Sequence, residues 1–256
     1  MASNSRPLDQ INAKPGFGRD GTQLDNNSFI DGQWCRFQRG RPKKMGGYKA
    51  ISDNLTGIAR GAFVYTRNSL NFVYGFSGNK AFVSVTNQTA SSSVAVSSTL
   101  PSLAAKDSYS FSVDSIFDST GSGAAKMLVH PARKLLDIAD ETNTNVYVAA
   151  VGASPATFTK VVDEDANEVM VSGGVVVLQP YVFVYGNNGL IKNSVANNPF
   201  GWKISAASEA NEVNVAGSKI VKGLPLRGSA SSPSGLFWSL DSVIKVSRSG
   251  DRKSVV

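Results

Sequence analysis

From residue 58 onward, turn-forming residues interrupt the chain so often that no run of about twelve residues sustains a helical apolar period. What lies between the interruptions is β-rich. Runs at 62–65, 71–75 and 80–85 are separated by Arg67-Asn68-Ser69 and Ser77-Gly78-Asn79. A second group at 174–178, 181–185 and 190–194 turns at Gln179-Pro180 and at Gly186-Asn187-Asn188-Gly189. A third, at 219–222, 235–239 and 242–247, turns at Leu240-Asp241. Val, Phe and Tyr suit a pleated, half-buried surface, while Gly and Asn tolerate the positive φ of tight turns. The expectation is an all-β chain. Helical and α/β folds are disfavoured.

The groups share a layout: an apolar strand, a short turn, an aromatic-rich strand, another turn, and a strand ending in polar residues. Units of roughly 40–50 residues built in this way are expected of propeller blades. The predicted fold is therefore a β-propeller-like array of short antiparallel blades, with a generic sandwich or Greek-key domain as the rival. Residues 1–28 are polar and without period and read as an extended N-terminal arm, leaving 29–256 as the β domain. Further strands are expected at 109–111, 124–129 and 146–151, and a short helical turn at 132–139. Residues 87–125 are weakly patterned. The array is either a short complete form or one cut off at its C-terminus, because the last strand group runs into residue 256.

Candidate chemistry is sparse. The one histidine, His130, has no second His or Cys beside it to build a zinc cluster, and no Gly-x-Ser-x-Gly elbow accompanies it. It reads as a strand-end histidine before a turn proline. Gly16-Phe17-Gly18-Arg19-Asp20-Gly21 matches GxGxxG in letters only, because the mechanism needs a strand before it and a helix after it. Residues 121–126 lack the Gly-Lys-Ser/Thr ending of a phosphate-binding loop. Asp163-Glu164-Asp165 with Glu168 lacks calcium-loop spacing and reads as a solvated hairpin tip. Asp114, Asp118, Asp137 and Asp241 are the acids a propeller hydrolase would draw on, with no pair singled out by spacing. No enzyme, cofactor or metal site is expected.

A single cysteine, Cys35, rules out an intramolecular disulfide framework. The longest apolar stretch, 175–185, is broken by Gln179 and Pro180 and is far shorter than the ~20 residues of a membrane helix. No apolar export signal opens the chain, so a soluble protein is expected. The formal net charge is +7, which favours an anionic partner. Much of that excess sits in one place. Arg36, Arg39, Arg41, Lys43, Lys44 and Lys49 follow one another with no acid between them. On a strand, Trp34, Arg36 and Gln38 share one face and Cys35, Phe37 and Arg39 the other, so the charges divide until a turn at 41–44 gathers several. Such a segment contacts phosphates without reading sequence, or else guards an exposed strand edge.

Three stretches carry a family resemblance. Residues 29–48, FIDGQWCRFQRGRPKKMGGY, resemble the RF-x-x-GRP-x-K-x-GG-aromatic opening of tail-associated structural proteins of tailed bacteriophages. LQPYVFVYGNNG at 178–189 is similar to their central strand pair. KIVKGLPLRG at 219–228, with GLFWSLDSVI at 235–244, is similar to a later blade. Related in kind are the tail-nozzle or packaged-DNA stabilisation proteins of short-tailed phages. The resemblance implies a non-enzymatic virion tail component of nozzle or head-completion type, assembled in the host cytoplasm. It would form a homo-oligomeric ring on the portal–tail axis, beside other tail and portal-adaptor proteins, and help retain packaged DNA. The six basic residues would then face DNA or a neighbouring subunit. The alternative is a receptor- or glycan-binding tail-tip module using Trp202 and Trp238, although both are expected to pack inward.

Overall fold

The computed structural model describes residues 14–18, 28–29, 31–47, 50, 52–78, 81–86, 95–96, 99–100, 109–118, 125–133, 144–153, 156–215, 217–226, 234–249 and 252–255. The chain divides into two compact units, Met1–Ala50 and Ile51–Val256. Most of the expected arm, residues 87–94, 97–98, 101–108 and 119–124, and 134–139 of the expected helical turn lie outside the described residues. Ala132 and Arg133, which were expected to open that turn, instead close a strand.

In the first unit, β1 (Lys14–Phe17) runs parallel to β2 (Ser28–Phe29), and β3 (Cys35–Gln38) pairs with β4 (Arg41–Lys44) in an antiparallel hairpin. Phe37 of β3 lies edge-on to Phe17, ring centroids 5.3 Å apart, and 5.5 Å from Phe29. Three aromatic rings thus back one face of the hairpin. Such pairs add about 1 kcal/mol each beyond the area they bury.

The second unit is all-β and holds four four-stranded antiparallel meanders in chain order. The first contains β5 (Ala59–Arg67), β6 (Leu70–Ser77), β7 (Ala81–Thr86) and β8 (Ala95–Val96). The second contains β9 (Tyr109–Phe117), β10 (Ala125–Arg133), β12 (Tyr147–Ala150) and β13 (Thr159–Lys160), with β11 (Thr144–Asn145) paired outside it to β14 (Met170–Val171). The third contains β15 (Gly174–Leu178), β16 (Tyr181–Tyr185), β17 (Leu190–Asn193) and β18 (Asn211–Asn214). The fourth contains β19 (Ile220–Pro225), β20 (Ser234–Ser239), β21 (Val243–Ser249) and β22 (Arg252–Val255).

Burial follows directly from the order of these sheets. Phe76 and Phe82 of the first meander pack with Phe111 and Met127 of the second. Ile116 and Leu128, on the second meander's other face, pack with Val175 and Val184 of the third. Val176 and Phe183, on the third meander's other face, pack with Phe237 and Ile244 of the fourth. The two inner sheets are therefore covered on both faces. That is why β15 and β16 read VVVL and YVFVY without alternation and are buried at every position. The end sheets are covered once, and β5 and β20 alternate.

The first strands β5, β9, β15 and β19 pack one beside the next. They come close because glycines stand at the joints: a Cβ on Gly61 would sit 2.8 Å from Phe111 Cβ, and one on Gly223 2.9 Å from Val176 Cγ1. Two of the joints are also tied by polar groups. Ser112 Oγ and Asp114 Oδ2 of β9 accept from the Val175 and Val177 amides of β15, at 2.9 and 2.7 Å. The Tyr185 hydroxyl accepts from the Gly223 amide of β19. The row does not close among the described residues, since β19 does not pack along β5. Among the described residues several small antiparallel sheets are present, and they form no closed propeller or barrel.

Candidate nucleic-acid interface

The hairpin β3–β4 turns at Arg39 (φ 52) and Gly40 (φ 76). Two successive positive φ values give the primed two-residue turn whose twist matches that of paired strands. The sequence placed a hairpin turn at Asp31-Gly32. There the Asp31 carboxylate accepts the Gly32 amide at 2.7 Å, while the hairpin reverses eight residues further on.

Register decides what the hairpin displays. Arg36 stands opposite Lys43, Phe37 opposite Pro42, and Gln38 opposite Arg41. Residues directly opposite share a face. One face therefore carries Arg36, Gln38, Arg41 and Lys43, and the other Cys35, Phe37, Pro42 and Lys44. The expected turn at 41–44 is a strand, so the gathering of charge comes from cross-strand pairing. Pro42 is tolerated because the pair beside a two-residue turn is the hydrogen-bonded one, which leaves position 42 without a ladder donor to supply. The Met45 amide donating to the Trp34 carbonyl at 2.6 Å continues the same alternation.

Arg36, Arg39, Arg41, Lys43 and Lys44 are all exposed, and none forms an ion pair among the described residues. Arg36 facing Lys43 places like charges directly across the strands, an arrangement that destabilises a sheet. Edge protection requires charges but not facing cations, whereas a polyanion laid on this face would neutralise them together. Lys49 lies outside the described residues. What sequence reasoning missed is the backing: Phe17 and Phe29 hold the opposite face through Phe37, and only the fold brings them there.

The other candidate residues are engaged in structure. His130 is fully enclosed, and its Nε2 lies 2.9 Å from the Val171 carbonyl and 3.2 Å from that of Thr144. Facing two carbonyls, Nε2 carries the hydrogen. Nδ1 is buried with no partner among the described residues. Burial pushes this imidazole down to about 4.

Asp114 caps the Val177 and Ser115 amides, and burial holds its carboxyl above the usual range. Asp118 is buried, Asp241 accepts from Ser218 and Ser239 in a turn, and Asp137 lies outside the described residues. The acidic hairpin tip at 163–168 is tied down. Glu164 accepts the Trp202 and Lys203 amides at 3.1 and 2.9 Å, Asp165 pairs with Lys203 at 2.8 Å, and Asp163 accepts from the Asn167 amide at 2.8 Å. Gly16 and Phe17, in the GxGxxG letters, lie within strand β1, and 19–21 lie outside the described residues. Lys126 of the 121–126 segment is on β10.

Among the described residues no group of acids, His and Cys is arranged to hold a metal, and no helix is long and apolar enough to cross a membrane. Trp202 is wholly buried with its indole N–H on the Pro199 carbonyl at 2.7 Å, which leaves no ring to offer a sugar. Trp238 is half-buried.

No family model matches this chain, and no curated protein matches it. The hairpin and the sheets therefore carry the functional argument.

Proposed function

We propose that this chain is a non-enzymatic structural component of a tailed-bacteriophage virion, of the nozzle or head-completion type. Its meanders would form a propeller-like array, assemble as a homo-oligomeric ring on the portal–tail axis, and help retain packaged DNA. The observation that carries the DNA contact is the cationic face of β3–β4, where Arg36, Arg41 and Lys43 lie together with no ion pair among the described residues and Arg39 stands at the turn beside them. The resemblance of residues 29–48 to tail-protein openings supports the virion setting, and those are the residues that make this hairpin.

The contact is with phosphates. Arginine presents a planar fork to phosphate oxygens and lysine a point charge, and among the described residues no recognition helix accompanies them. Binding is therefore indifferent to base sequence and steeply dependent on salt. With three to four phosphates neutralised, log K against log salt should fall with a slope of about −3 on duplex DNA. Arg36→Ala and Lys43→Ala should each make the slope shallower by about one. Fluorescence anisotropy on random-sequence duplexes from low to physiological salt measures this. Binding that ignores salt, or that the two substitutions leave unchanged, would remove the hairpin from the proposal. Density for this protein located away from the portal–tail axis in virion reconstructions would remove the nozzle assignment.

A further inference from the structure

Among the described residues of the second unit, the two end sheets each have one face on which no other sheet packs, and the two faces differ in chemistry. On the first meander, Ala62, Val64 and Thr66 of β5 point away from the second meander and stand opposite Gly75, Val73 and Asn71. Val64 is 61% exposed. These six residues carry no charge, and their polar pair is self-satisfied, with the Thr66 hydroxyl donating to Asn71 Oδ1 at 2.8 Å. On the fourth meander the row Leu224–Leu236–Lys245 runs beside Lys222–Trp238–Val243. Leu224 and Val243 are 45% and 58% exposed, whereas Phe237 and Ile244, on the other face, are buried.

We propose that these two faces are the halves of a head-to-tail contact, in which the fourth meander of one copy packs on the first meander of a second copy. Three joints within the chain already have this form: a sheet whose outward face is apolar receives the next sheet on it, as Phe76 on Phe111, Leu128 on Val184 and Phe183 on Phe237 do. The fourth joint is the one that the open row of first strands leaves unmade. Charge selects the pairing. Two fourth meanders face to face would oppose Lys222 and Lys245 with their own copies, whereas Ala62, Val64, Thr66, Asn71, Val73 and Gly75 on the first-meander face carry no charge to repel them. A contact between different faces is heterologous and propagates from copy to copy until the rotation closes a ring. This deepens the ring assembly proposed above and rests on it only for closure. The contact between faces stands on the sheets.

The test separates the two. Val64→Lys spoils only the first-meander face and Val243→Lys only the fourth. Both sites are exposed, so each variant should fold, with stability within about 0.5 kcal/mol of wild type by thermal melting. Ala62→Lys and Leu224→Lys serve as replacements should either variant misfold. In sedimentation velocity the wild-type chain should associate with rising concentration, and each single variant should associate at least about tenfold more weakly. Mixed together, the two variants should yield a discrete dimer, because each retains the half that the other lacks. A wild-type monomer at tens of micromolar overturns the proposal. So does a single variant that still dimerises alone, which would mean a symmetric contact, or a mixture that stays monomeric. None of these results depends on DNA binding or on position in a virion.

Discussion

Acidification should destabilise this protein through His130 before its exposed carboxylates begin to titrate. The imidazole is enclosed between β10, β11 and β14, donates from Nε2 to backbone oxygens, and has a buried Nδ1 with no partner among the described residues to receive a proton. Desolvation lowers it from 6.5 to about 4, and nearby Lys219 pushes it the same way. The unfolded chain therefore binds a proton between those values while the folded chain refuses it. Stability is intact above about pH 6.5 and falls as pH drops, at up to about 1.4 kcal/mol per pH unit. It levels once the folded imidazole itself titrates near 4, by which point the loss is roughly 3 kcal/mol.

Asp114, with its carboxyl raised by burial, acts in the opposite sense, gaining stability as pH falls through its folded value. The wild-type slope alone is therefore insufficient. Urea unfolding at pH 7.5, 6.5, 5.5 and 5.0 should be compared between the wild type and His130→Gln, which keeps a donor near the Nε2 position. The variant should be less stable at pH 7.5 by about 1–3 kcal/mol, from a lost ring and imperfect hydrogen bonds, yet should lack the decline between 6.5 and 5. Because this is the chain's one histidine, its ring resonances in the folded protein are unambiguous and should not titrate above pH 5. A folded-state midpoint near 6.5, or an identical pH slope in His130→Gln, would refute the reasoning.

Other outcomes follow from the packing. Gly173→Ala should destabilise by about 3 kcal/mol in denaturant melts, because its Cβ would stand 2.5 Å from the Tyr185 carbonyl oxygen and 2.7 Å from that of Ile220, and backbone cannot step aside. Trp202→Phe should cost about 2–3 kcal/mol, combining a cavity in the core with loss of the indole bond to Pro199. A melt unchanged by that substitution would mean the ring is not packed in the core or held on Pro199.

Strand positions were largely legible in the chain because they rest on local causes. β5, β6 and β7 fall on the runs seen at 62–65, 71–75 and 80–85, and Asn68-Ser69 supplies the positive φ values of their turn. The meander from β15 to β17 was equally plain. The basic segment was visible as composition, but its geometry was not. Alternation along one strand divides Arg36 from Arg39, and only the pairing with β4 puts Arg41 and Lys43 beside Arg36. Placing Arg41–Lys44 in a turn failed because Pro42 reads as a turn residue when its partner strand is unknown.

What the sequence by itself determined, then, is the all-β class, most strand positions and the presence of a dense cationic segment. Each follows from side-chain shape, φ tolerance or charge within a few residues. The tertiary structure alone decided which sheets are covered on one face and which on two, where the glycines let first strands meet, and why His130 is neutral. Those properties belong to pairs of sheets separated in sequence by tens of residues, and no local pattern specifies which face of a strand a distant sheet will cover. The repeated strand groups remain the organising feature of the second unit, resolved now as four stacked meanders whose row does not close among the described residues.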